Sequence, residues 1–128
     1  MTAPIKMLAI DLAKGSFQVC AIGLDGAVLY NRVLSLTRVS ALLAEQQCCI
    51  VAMEACATSH YWGRVAQSHD HEVRLVPAAY VKPFVKRQKN DKADAEAIAE
   101  AALRPTMRFV AVKSAETQGR EVAFRTHQ

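Results

Sequence analysis

Two short apolar runs in this chain each stop on a carboxylate. Met7-Leu8-Ala9-Ile10 ends at Asp11, and Cys48-Cys49-Ile50-Val51-Ala52-Met53 ends at Glu54. Runs of this length read as buried strands. A charge at the edge of apolar structure is costly unless a cation or hydrogen bonds satisfy it. Asp91 and Asp94 add a second acidic feature, three residues apart at the start of the helical segment DKADAEAIAEAAL.

The rest of the chain supplies a frame for these acids. Residues 6–11 and 16–22 read as strands, and Leu24-Asp25-Gly26 signals the turn into a third, AVLYNRVL. Short connections make these three an antiparallel meander. Thr37 is placed to cap a helix of about ten residues that turns Val39, Leu42 and Leu43 inward. CCIVAM is the fourth strand. Thr58 or Ser59 caps a helix through Tyr61, Trp62, Val65 and Ala66. Val73 to Val76 is a fifth strand, and Pro77 starts a short helix that Pro83 constrains. KRQKN (86–90) reads as a mobile loop, Asp91 to Leu103 as a helix, FVAV (109–112) as a short extended piece, and Ser114 onward as the start of another helix.

Three antiparallel strands followed by alternating helix and strand predict an α/β fold with a mixed five-stranded sheet. A right-handed crossover sets the fourth strand parallel to the first. As neighbours they lie about 4.8 Å apart, which brings Asp11 and Glu54 to one sheet edge, where ligands bind in open α/β sheets. Residues three apart share a helix face, so Asp91 and Asp94 can aim at one point. Four gathered carboxylates call for cations. Oxygen donors suit Mg²⁺, with Mn²⁺ as substitute. Two such ions about 3.5–4 Å apart serve the attacking and leaving oxygens of a phosphodiester.

Charge distribution agrees with a polyanionic substrate. The net charge of +4 is mild, but Val73 to Asn90 holds no acid and carries Arg74, Lys82, Lys86, Arg87 and Lys89, with Lys92 close behind. Cations clustered beside a carboxylate site suit phosphates. A solvated face is the bland account of such a run. With 128 residues the chain suffices for one domain. It contains no apolar stretch of bilayer length and no secretory layout at MTAPIKMLAID, so a cytoplasmic location without membrane partners is expected. Cys20, Cys48, Cys49 and Cys56 form no C-x-x-C pair and read as buried reduced thiols.

Each signal alone has an ordinary explanation. Asp11 can be a turn residue, Glu54 a solvated strand end, and Asp91 with Asp94 a favourable charge on a helix dipole. Their order on this topology is the specific feature. His60, His69, His71 and His127 lack ligand spacing, and His69 and His71 flank a turn and should be exposed. Ser16, Thr58 and Ser59 read as capping residues rather than nucleophiles. Tyr61 and Trp62 read as core. Tyr80 and Phe84 can stack on bases or pack inward.

The segments LAIDLAKGSFQVCAI, VAMEACATSHYWGR and RLVPAAYVKPFVKRQKNDKADAEAIAEA resemble the N-terminal domain of the DEDD transposases, which include Piv-type invertases and bridge-RNA-guided recombinases. The resemblance covers roughly residues 5–118. It implies a ribonuclease H-like fold of the RuvC type, with Asp11, Glu54, Asp91 and Asp94 as a Mg²⁺-binding catalytic tetrad. It also implies DNA strand cleavage and joining, in some members with a structured guide RNA, by dimers and tetramers. Members are more than twice as long and carry a serine nucleophile in a C-terminal domain that nothing here matches. Residues 1–112 are therefore expected to form the catalytic domain, and 113–128 to begin a helix leading to a domain absent from this chain.

Two other readings compete. One is a catalytically inactive nucleic-acid-binding or assembly module that uses the basic segment from Arg74 to Lys92. The other is an actin-like kinase fragment, whose strand-end aspartate wants a glycine two residues on, where this chain has Ala13 and then Lys14.

Overall fold

The computed structural model describes residues 3–12, 15–85 and 90–126, and the side chains of Asp91 and of residues 121–126 lie outside that description. The chain runs β1 (Ile5–Leu12), β2 (Phe17–Gly23), β3 (Val28–Leu34), α1 (Leu36–Glu45), β4 (Ile50–Glu54), α2 (Ala57–Ser68) and β5 (Glu72–Val76). It continues through α3 (Ala78–Val81), a 3₁₀ turn at Lys82–Phe84, α4 (Asp91–Ala102) and α5 (Ala115–Thr126). The expected loop over 86–90 falls on residues 86–89, which are outside the described residues, as is His127.

The five strands form one sheet in the order β3-β2-β1-β4-β5. β1, β2 and β3 pair antiparallel, whereas β4 lies parallel to both β1 and β5. This is the mixed α/β sheet that the alternation of runs predicts, and it is consistent with a ribonuclease H-like fold. Strand alternation divides the core in two. Met7, Ala9, Cys20 and Ala52 face α4, which beds on them through Ala95, Ile98, Ala99 and Ala102. Leu8, Ile10, Val19, Val51 and Met53 face the opposite way, toward Val39 and Leu43 of α1 and Ala66 of α2. Alanine suits α4 twice over: it is the best helix former, and its short side chain lets the helix lie close to the sheet.

Several local expectations need correction. Ser35, not Thr37, caps α1, and its hydroxyl accepts the Arg38 N–H at 3.2 Å. Cys56 occupies the α2 cap position, and Ser59 serves from inside the helix by accepting the Cys56 N–H at 2.9 Å. In both cases the helix begins earlier than its first threonine. β4 starts at Ile50, so Cys48 and Cys49 precede it, with Cys48 exposed and Cys49 buried. Cys20 is buried and Cys56 exposed, so only two of the four thiols lie inside.

His71 is buried rather than exposed. Asp70 adopts φ 66°, and that left-handed step turns the next residue inward. Nδ1 of His71 then accepts the Cys49 N–H at 3.2 Å, and Nε2 donates to the Leu43 carbonyl at 2.7 Å. The imidazole thus ties the end of α1 to the approach of β4. Tyr61 is 54% exposed, contrary to its expected core role, while Trp62 packs edge-on against Phe17 at 5.1 Å. The FVAV piece is extended at Val110, which bridges Leu75 antiparallel. Val112 then lies over Gly63, where an added Cβ would come within 3.1 Å of it.

The thiols divide in a measurable way. Burial, reinforced by the Glu96 carboxylate, pushes Cys20 up from 9.0 to about 11. Burial, reinforced by Cys48, does the same to Cys49. A disulfide-exchange reagent at neutral pH is expected to label two thiols of the native chain at once and the other two only on unfolding. The folded chain keeps protons on Cys20 and Cys49 that the unfolded chain releases above pH 9.0. Their stabilisation is therefore complete below that pH and lost as pH rises toward about 11. Urea midpoints compared at about pH 8 and about pH 10.5 should fall, and less so in a Cys20→Ala, Cys49→Ala variant.

Candidate functional site

The carboxylates at the ends of β1 and β4 meet through strand register. Ile10 pairs with Met53 across the parallel β1/β4 ladder, so Asp11 and Glu54 occupy the next positions of adjacent strands. Alternation sends both to the face that α4 covers. Asp94, in the first turn of α4, comes down on the same place. Asp11, Glu54 and Asp94 line one cleft of about 200 Å³, closed on its other side by Ala78 and Val81 of α3 and by Lys82 and Val85. All three carboxylates are half-buried.

Asp91 is the first residue of α4, one turn from Asp94, and its side chain lies outside the described residues. Asn90 caps the helix, its side chain accepting the Ala93 N–H at 2.8 Å. The expected gathering of four acids is therefore described here for three. Those three share a cleft without forming a tight coordination cluster: among the described residues, no group of three His, Cys, Asp or Glu side chains is placed to hold one metal ion. The donor chemistry does fit a hard divalent cation. Among the described residues, every acidic or basic group on the cleft is a carboxylate except Lys82, and no thiol or imidazole lines it.

A polar tie that sequence reasoning missed sets the position of α4. Gln18 lies opposite Asp11 in the β1/β2 register and is buried. Its side-chain amide donates to Oδ1 of Asn31 at 2.8 Å. Asn31 in turn donates from Nδ2 to the Lys92 carbonyl, in the first turn of α4, at 3.0 Å. Two amides thus bridge the sheet to the helical turn that carries Asp94. The signal in the sequence was a glutamine inside the otherwise apolar run SFQVCAI. Its partner Asn31, 13 residues on, and the Lys92 carbonyl that Asn31 reaches 61 residues further along, could not be read from spacing.

The basic residues separate on folding. Lys82 lines the carboxylate cleft, and Lys92 is exposed in the first turn of α4. Arg74 is occupied within the chain. Its Nε donates to Glu72 at 2.6 Å, its Nη1 donates to the Ala102 carbonyl at 2.8 Å, and its guanidinium lies 5.4 Å from the Phe109 ring centre. That places it by the far end of α4, about 12 Å along the helix axis from Asp94 at 1.5 Å per residue. Lys86, Arg87 and Lys89 are outside the described residues. Phe84 packs against the α4 core, while Tyr80 is half exposed. His60 is buried, and its Nδ1 accepts the Lys113 N–H at 3.1 Å. No helix among the described residues is long and apolar enough to cross a membrane.

Comparison with known proteins converges on one group. The family model of DEDD transposases of the IS110 type, described as Transposase, matches residues 8–127. The "Probable family 20 transposase" of Pseudomonas aeruginosa is 46% identical over 114 residues, covering 89% of this chain and 34% of the relative. The transposase for insertion sequence element IS1111A of Coxiella burnetii is 41% identical over 114 residues, 89% of this chain and 31% of the relative. The transposase for IS1328 of Yersinia enterocolitica is 38% identical over 121 residues, 94% of this chain and 36% of the relative. The chain spans about a third of the length of the curated relatives it matches.

The amide tie can be tested directly. Asn31→Ala leaves the buried Gln18 amide without its acceptor, at a cost of about 1–3 kcal/mol. Chemical denaturation should register that loss. Native-state hydrogen exchange should speed up in the first turns of α4 while β1 and β4 stay protected.

Proposed function

This chain belongs to the DEDD transposases of the IS110 type, and on that premise we propose that residues 1–112 act as a metal-dependent catalytic domain for DNA strand cleavage and joining. Asp11, Glu54 and Asp94, together with Asp91, are assigned as the residues that hold Mg²⁺ or Mn²⁺. The observation that carries this reading is the shared cleft of Asp11, Glu54 and Asp94, drawn from three separate elements and edged by Lys82. Divalent ions bound there would activate the attacking oxygen and balance charge on the leaving oxygen of a phosphodiester.

The protein's own share is positional and electrostatic. Asp11 is held by pairing on both sides of β1, and Glu54 by pairing in β4. Pairing fixes the backbone positions from which both side chains reach the cleft. Asp94 rides on α4, whose first turn the Asn31 amide fastens to the sheet. Lys82 on the cleft offers positive charge to a phosphate approaching the carboxylates, and Lys92, exposed in the same first turn as Asp94, adds to the local field at longer range. Lys86, Arg87 and Lys89 belong to the same basic stretch in sequence. A guide RNA and assembly as dimers or tetramers form part of this proposal and rest on the family alone.

One observation favours a second reading. Exposed cations, Lys82 at the cleft and Arg104 and Arg108 past α4, offer phosphate contacts that need no carboxylate, as in a domain that contributes nucleic-acid binding or assembly without catalysis. Metal affinity separates the two. Titration calorimetry with Mn²⁺ should show binding to the parent chain, weakened about tenfold or more by Asp11→Asn, Glu54→Gln or Asp94→Asn. A saturating cation should also raise the unfolding free energy by about 2.7 kcal/mol at a hundred times its Kd, and these variants should lose that gain. Equal affinity in the parent and all three variants sinks the metal-dependent proposal. Salt-sensitive DNA binding that survives in Asp11→Asn without any cation effect would then support the second reading.

A further inference from the structure

We propose that a separate cleft at the C-terminal end of α4, lined by Tyr80, Arg104, Thr106, Met107 and Arg108, grips an unpaired nucleic-acid strand by stacking a base on Tyr80 and holding phosphates with the two arginines. The cleft measures about 360 Å³. The inference rests on the transposase reading in supposing that a strand threading the carboxylate cleft continues to this one.

The charge here is exposed. Arg104 and Arg108 are exposed, and among the described residues neither has an ion-pair partner. A cation just past α4 also favours the helix dipole, which is an ordinary account of Arg104. It does not extend to Arg108, which lies beyond the helix end. Arg104 is oriented as well as charged: its guanidinium sits 5.1 Å from the centre of the Phe84 ring. Stacked on an aromatic face, a guanidinium keeps its N–H edge free for a phosphate.

The aromatic component is Tyr80. Its ring is 50% exposed, although Val81 beside it is buried. An exposed ring lining one cleft with two arginines offers the combination that single-strand binders use, a stacking platform within a positive groove. A duplex keeps its base faces covered and could offer this cleft only phosphates.

Continuity links the cleft to the proposed catalytic one. α3 contributes to both: its Ala78 and Val81, with Lys82 of the following turn, line the carboxylate cleft, and its Tyr80 lines the arginine cleft. A strand passing from one cleft to the other leaves Lys82 on the first and reaches Tyr80, Arg104 and Arg108 on the second. From Pro77 to Val85 there is no acidic residue to repel it.

Fluorescence anisotropy with a labelled single-stranded DNA and the RNA of the same sequence tests this, each measured across a salt series. The parent chain should bind at least one of them. Arg104→Ala with Arg108→Ala should weaken that binding and reduce the salt slope by about 1.4, at roughly 0.7 per phosphate contact on single strands. Tyr80→Ala should weaken binding about fivefold or more, and Tyr80→Phe should restore it, because stacking needs the ring and not the hydroxyl. Arg108→Ala alone removes an exposed side chain, and unchanged circular dichroism melting would show that lost affinity is not lost fold. Losses on both strands indicate contact common to DNA and RNA; a loss on one alone identifies the strand held here. Parent-like affinity in the arginine and Tyr80 variants overturns the proposal, as does a parent chain that binds neither oligonucleotide. Asp11→Asn leaves this cleft untouched, so its cation titration decides the catalytic reading independently.

Discussion

The parallel ladder between β1 and β4 is the constraint on which the rest of this molecule depends. It pairs Met7 through Ile10 with Ile50 through Met53, joining two buried strands more than forty residues apart in sequence. The ladder satisfies backbone groups that would otherwise be stranded in the core. It also sets which residues share a face. Because side chains alternate along a strand, a slip of one residue would send Glu54 to the opposite side of the sheet from Asp11. Such a slip would also turn Val51 and Met53 out of their core cluster. Apolar packing therefore protects the register that brings the two acids together.

α4 completes the arrangement by different means. Its alanine face is smooth and short, so packing alone allows some freedom along and around the helix axis. Hydrogen bonds at both ends restrict that freedom. At the start, Asn31 holds the Lys92 carbonyl and is itself held by Gln18. At the finish, Arg74 donates to the Ala102 carbonyl. Each tie takes a helix-terminal carbonyl or first-turn group and fastens it to a strand. Arg74 thus fulfils a structural duty that its place in a basic run disguises, since in sequence it looks no different from Lys82 or Lys92.

Legibility differed by kind of feature. The strands, the α4 segment and the mixed sheet could be read because apolar runs, turn signals and helical spacing are local properties. Helix starts were less legible. Serine and threonine cluster near both α1 and α2, yet Ser35 caps the first and Cys56 stands at the cap position of the second. His71 looked exposed because it follows a polar turn, yet the left-handed Asp70 rotates it into the core, where two backbone groups need it. Tyr61 looked buried beside Trp62 and instead faces solvent, since a helix turns 100° between neighbours.

The sequence by itself determined which segments are strands and helices, where carboxylates end apolar runs, and where positive charge concentrates. These are properties of neighbours along the chain, and short-range sterics and hydrophobic periodicity encode them. Only the tertiary structure decided that Asp11, Glu54 and Asp94 line one cleft, that Gln18 and Asn31 anchor α4, and that Arg74 turns inward while Arg104 and Arg108 remain exposed. Those outcomes depend on register and on contacts between distant elements, whose free energy exists only once the whole sheet and its covering helices have formed.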